Sequence, residues 1–188
     1  MEIKYRLIRS NRKRISLEIN ENGLTIRAPK YAKTDEIRQF IMKNELWILK
    51  NLEKYNSRKK KYEGVEKLTI DEIKQLADDA VEYIPKRVEY YAKIIGVTYG
   101  RITIRNQKTR WGSCSSKGNL NFNCLLMLTP KEVIDSIVVH ELCHRIEMNH
   151  SKRFYDLVLN AYPDYYKWNK WLKENGGEIM YKGNNCIE

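Results

Sequence analysis

The residues of this chain best equipped for chemistry lie together, at His140-Glu141-Leu142-Cys143-His144. Two histidines four apart fall on one face of a helix, one turn from each other, so both imidazoles can reach a single ion. Glu141 is offset around the helix. It can therefore hold a water beside the ion without being a ligand. The chain has only 3 histidines, and its composition would produce such a pentapeptide by chance in about 0.4% of chains. The last histidine, His150, follows six residues on.

A hydrolytic zinc site takes three protein ligands and keeps one position open. His150 is the natural third ligand. On a continuous helix it would point about 240° away from His144, at about 100° per residue. The helix must therefore stop or turn before His150. Asn149 is the expected place, since Asn tolerates the left-handed conformation that ends helices, and Ser151 can cap the next helix. Burying three imidazoles and a carboxylate without an ion would cost several kcal/mol unless each were paired. Imidazole ligands and four-coordination favour Zn2+. Its chemistry would be to polarise a carbonyl or phosphoryl oxygen and to lower the pKa of its water, with Glu141 as general base and then acid. The developing oxyanion needs another partner; Arg110 and the tyrosines 155, 162, 165 and 166 are the candidates.

The elements around this motif can be read from pattern. Ile15, Leu17 and Ile19 alternate, as do Leu24, Ile26 and Ala28, and Asn20-Glu21-Asn22-Gly23 lies between them. This predicts a β-hairpin closed by Pro29. Thr34-Asp35-Glu36 opens a helix with an apolar stripe at Ile37, Phe40, Ile41, Ile48 and Leu52. Arg58-Lys59-Lys60-Lys61 reads as a linker. Thr69 and Glu72 form a capping box for a long helix that Pro85 should bend or divide. Arg101–Arg105 and Asn119–Leu128 read as strands, joined through Arg110-Trp-Gly-Ser-Cys114 and a turn at residues 115–118. Thr129, Pro130 and Glu132 start the helix that carries the histidines, and it is apolar enough all round to be buried. Helices follow over about 151–161 and 163–174, and the tail from Gly176 carries little signal. The fold class expected is α+β.

The chain has 188 residues and a formal net charge of +11. Residues 1–61 hold 17 Lys+Arg against 7 Asp+Glu, whereas residues 62–188 hold 18 against 17. A basic β-hairpin-plus-helix module over 1–61 and a catalytic domain over 62–188 are expected. Such a module can attract phosphates or nucleic acid, or can simply be a solvated surface. No run of 18 apolar residues is present, so no membrane span is expected. The first twenty residues do not read as a signal peptide. The cytoplasm is the expected compartment, and the four cysteines, with no CxxC pair, fit reduced thiols there. Cys114 and Cys143 read as structural, and Cys186 as exposed.

The segments Ile102-Thr-Ile-Arg-Asn-Gln-Lys-Thr-Arg-Trp-Gly-Ser-Cys114, Val138-Val-His-Glu-Leu-Cys-His144 and Asn149-His150-Ser151 with Phe154 resemble the YgjP-like metallopeptidase family, small zincins related to SprT-like and WLM proteases. The resemblance runs from Ser10-Asn11-Arg12-Lys13 to Pro163-Asp164-Tyr165. It implies a minimal zincin core, a small sheet over the active-site helix, with His140, His144 and His150 on zinc and Glu141 as catalytic acid/base. It also implies an edge strand that pairs with an extended polypeptide; Asn121 to Cys124 is the candidate, with Asn121 and Asn123 as substrate-binding residues. A metzincin is excluded, because Glu147 stands where that class needs Gly. Three functions stay open: a zinc metallopeptidase, a zinc hydrolase of a phosphate-bearing small molecule such as a UTP-type nucleotide pyrophosphohydrolase, and a nucleic-acid-associated protease docking through residues 1–61.

Overall fold

A computed structural model describes residues 4–20 and 23–184. The chain divides into two compact units, Met1–Gly64 and Val65–Glu188. In each unit the strands are consecutive and form a mixed parallel and antiparallel sheet, with the helices segregated from them along the chain, which makes each α+β. No helix among the described residues is long and apolar enough to cross a membrane.

The first unit holds β1 (Tyr5–Ser10), β2 (Ser16–Asn20), β3 (Gly23–Pro29), α1 (Thr34–Lys43) and α2 (Glu45–Lys61). β2 pairs antiparallel with β3, placing Leu17 opposite Ile26. The two residues between them, Glu21 and Asn22, lie outside the described residues. β1 runs parallel to β3 on its other side, so β3 is central. Leu24, Ile26 and Ala28 are buried with Ile37 and Ile48 from the helices. Arg58 to Lys61 are not a linker. They form the last turn of α2, where cations oppose the negative end of the helix dipole.

The second unit begins with α3 (Ile70–Ile95), capped as expected by Thr69 and Glu72. Its C-cap, Gly96, has φ 75°, a conformation cheap only for glycine. Pro85 does not divide this helix. The carbonyl freed by the missing N–H belongs to Val81, which is 59% exposed, so water can take it.

The second sheet has the order β4-β6-β5, from β4 (Ile102–Arg105), β5 (Gly112–Cys114) and β6 (Leu120–Asn123). β4 is parallel and β5 antiparallel to β6. The second strand was expected to reach Leu128. Instead it ends at Asn123, whose side chain accepts from the Leu125 N–H and starts a 3₁₀ turn over Cys124–Leu128. That side-chain acceptor gives the backbone an alternative to the ladder. Thr129 does not cap the next helix either. Its hydroxyl donates to the Leu126 carbonyl at 2.7 Å, and Pro130 takes the cap position.

α4 (Lys131–Cys143) is the buried centre of this unit. Val133, Ile134, Val138, Val139 and Leu142 are buried in one cluster with Ile84 and Val88 of α3 and Leu120 and Phe122 of β6. Burying side chains of this size contributes roughly 1.5–3 kcal/mol each. α5 (Lys152–Ala161) and α6 (Tyr165–Gly183) complete the unit. α6 extends well past Gly176, where little structure was expected. Its glycines permit close packing: a Cβ at Gly176 would lie 2.9 Å from the Trp111 ring, and one at Gly183 would lie 2.5 Å from Leu125. Weak helix formers thus sit where contact requires them.

Candidate active site

His140 stands in the last turn of α4 and His144 is its C-cap. The chain then turns, with the Arg145 N–H on the Leu142 carbonyl and the Glu147 N–H on Cys143. This break comes earlier than Asn149, and it swings His150 back toward the other two histidines. Ser151 accepts from the Phe154 N–H and starts α5, the capping expected of it.

One nitrogen from each of His140, His144 and His150 can be chosen so that all lie within 4.8 Å of one another. The Nε2 atoms of His140 and His150 are 3.0 Å apart. Two nitrogens bound tetrahedrally at 2.0–2.1 Å would be about 3.3 Å apart, so the observed spacing suits one ion with small adjustment. Two of the imidazoles are favoured in the neutral form. Burial, and then the neighbouring His144 and His150, push His140 down to about 3. Burial lowers His144 as well, against a hydrogen bond to the Glu147 carbonyl. Neutral imidazole is the form that ligates. Phe154, fully buried, lies under the cluster with its centroid 4.9, 4.6 and 4.9 Å from the rings of His140, His144 and His150.

Glu141 is 6% exposed and lies against β5. Burial pushes its carboxyl up to about 8, opposed by Arg110 and by a hydrogen bond from the Cys114 backbone. A carboxyl titrating near neutrality is suited to taking and returning a proton. Arg110, Gly112, Ser113, Met148 and the three histidines line one cleft with it.

The other residues singled out from the sequence are placed differently. Asn121 and Asn123 lie on β6, which is the central strand and not an edge. The alternating pattern fixes which face a residue takes but not which strand lies beside it. Asn123 is 0% exposed and its amide donates to the carbonyls of Gln107 and Arg110, so it holds the loop that presents Arg110. Asn121 donates to Ser113 Oγ at 3.3 Å. The strand bordering the cleft is β5. Of the four tyrosines, Tyr162 donates to the Glu132 carbonyl, Tyr155 and Tyr166 stack on each other, and Tyr165 meets His140 Nδ1 at 2.9 Å. Cys143 is buried and its thiol is pushed up to about 12 by burial. Cys114 borders the cleft with a thiol raised by burial, and Cys186 lies outside the described residues. Sequence reasoning missed Gly112 and the Cys114 N–H as partners of Glu141, because a backbone contact leaves no side-chain signature.

Three converging histidines with an interleaved, buried carboxylate make up the donor set of a candidate metal site. The model of the YgjP-like, metallopeptidase domain matches residues 13–75 and 66–175, and the chain belongs to this family. No curated protein matches the chain. Among solved structures, the metallopeptidase zymogen of Pyrococcus abyssi abylysin is 21% identical with a TM-score of 0.44, covering 48% of this chain and 93% of that one. The metallopeptidase zymogen of Methanocaldococcus jannaschii jannalysin is 20% identical with a TM-score of 0.44, covering 49% and 95%. Both likenesses are confined to about half of this chain.

Proposed function

We propose that the chain is a zinc metallopeptidase of the minimal zincin type, cleaving extended polypeptides at the cleft between β5 and the end of α4. The observation that carries this reading is the convergence of three imidazoles within 4.8 Å, with Glu141 on the same cleft. His140, His144 and His150 would hold the ion. When bound, Zn2+ supplies Lewis-acid polarisation of the scissile carbonyl and acidifies a water. The chain's residues do the rest. Glu141, steadied by the Cys114 N–H, accepts the proton of the attacking water and delivers it to the leaving amine. Arg110 offers a cation to the developing negative charge. β5 is an edge strand, and an extended peptide can add to it by main-chain pairing.

The test joins elemental analysis to cleavage assays. The purified protein is expected to carry zinc and to cleave a peptide library. His140→Ala should lose both the ion and the activity. Glu141→Gln should keep the ion and lose turnover by at least a hundredfold. Full cleavage by Glu141→Gln would overturn the mechanism. Phosphate or pyrophosphate release from nucleoside triphosphates without peptide cleavage would assign the site to phosphoanhydride hydrolysis instead. Cleavage stimulated by DNA only at low salt would assign residues 1–61 a docking role.

A further inference from the structure

A ligating histidine needs its second ring nitrogen held, because that contact fixes which nitrogen carries the hydrogen. His144 is settled by the backbone. Its Nδ1 lies 3.0 Å from the Glu147 carbonyl, and a carbonyl only accepts. The hydrogen is therefore on Nδ1, and Nε2 is bare toward the cluster.

His140 is held differently. Its Nδ1 lies 2.9 Å from the hydroxyl of Tyr165, and a hydroxyl can donate or accept. Tyr165 in turn takes a hydrogen bond from Asn169 Nδ2 at 3.1 Å, one turn along α6. Tyr165 is 2% exposed, so water cannot replace it. On the far side of the ring, His140 Nε2 is 3.0 Å from His150 Nε2, and one of those two nitrogens must carry the shared hydrogen. With that hydrogen on His140, the ring's Nδ1 is bare and accepts a hydrogen bond from the Tyr165 hydroxyl. The bonds then run one way, from Asn169 to Tyr165 to His140 to His150. To ligate an ion through Nε2, His140 must instead carry its hydrogen on Nδ1, and Tyr165 must accept it. The imidazole holds one hydrogen in both forms.

We propose that Tyr165, fixed by Asn169, is a positioning residue that accommodates both tautomers of His140 and thereby sets the affinity of the site for its divalent ion. The inference rests on the metal-centre reading above. A carbonyl at this place would hold one tautomer only. A phenylalanine would hold neither, and the larger penalty falls on the ion-loaded form, where a buried Nδ1–H donor rather than a bare nitrogen would be left without a partner. Asn169 acts only through Tyr165, so its effect depends on the phenol being present.

Zn2+ affinity measured by competition with a chromophoric chelator tests this without any activity assay. Tyr165→Phe is expected to bind about tenfold more weakly than wild type, and Asn169→Ala more weakly by a smaller factor. The double variant should match Tyr165→Phe alone. Tyr155→Phe removes a neighbouring hydroxyl that touches no ligand nitrogen, and should bind as wild type does. The metal-free thermal midpoint of Tyr165→Phe reports whether the fold survives. If it does not, the half-buried Asn169→Ala carries the same comparison. Wild-type affinity in Tyr165→Phe or Asn169→Ala, or additive losses in the double variant, would overturn the proposal. Failure of wild type itself to bind zinc would overturn the metal-centre reading and this inference together.

Discussion

The carboxylate of Glu141 occupies the space that a side chain at position 112 would need. A Cβ on Gly112 would fall 2.7 Å from Glu141 Oε1 and 2.8 Å from its Cγ. The glycine therefore lets β5 approach the acid closely enough for the Cys114 N–H to bond it. Gly112→Ala must push the carboxylate from its seat. A displacement of this kind is expected to cost about a hundredfold in kcat, with KM and zinc content near wild type. Unchanged kcat in peptide hydrolysis would show that the seat is not needed.

The metal-free protein should respond to pH through the same group. The carboxyl of Glu141 is raised from 4.5 to about 8 by burial. In the unfolded chain it loses its proton near its ordinary value. Between the two values the folded state binds more protons, so stability falls as pH rises from about 4.5 to about 8. Glu141→Gln has no proton to lose. In excess chelator, the gap between the thermal midpoints of Glu141→Gln and wild type should widen in favour of Gln from pH 5 to pH 8. A gap independent of pH would contradict the assignment.

On the other side of α4, Asp135 receives two hydrogen bonds from Arg87, at 2.6 and 2.8 Å, and a third from the Tyr91 hydroxyl at 3.3 Å. The pair is mostly shielded, with side-chain exposures of 28% and 13%. Asp135→Ala leaves the guanidinium without its partner and is expected to cost about 2 kcal/mol in chemical denaturation. Arg87→Met combined with Asp135→Ala should cost less than the single change, since no unpaired charge remains. Equal or greater loss in the double variant would refute this account.

The grouping of the candidate site was legible because it is written in side chains at helical spacing. The three histidines, the interleaved Glu141 and the serine that restarts the helix at 151 all follow from periodicity and capping. The sheet was less readable. Asn123 and Phe122 carry the same alternation whether β6 is central or at an edge, and the short β5 that lies between β4 and β6 in sequence shows no strand pattern of its own. The tail after Gly176 looked unstructured because glycine weakens helices, yet Gly176 and Gly183 are there to admit Trp111 and Leu125. The basic run at residues 58–61 has no apolar stripe to announce a helix. Its place in α2 follows from the residues before it.

The three histidines are not mounted alike. Two stand at the end of a largely buried helix, and the third on an exposed connection that begins only after that helix has ended. Were the three to hold an ion as proposed, a change of ionic radius would be taken up at His150 rather than by repacking the buried helix.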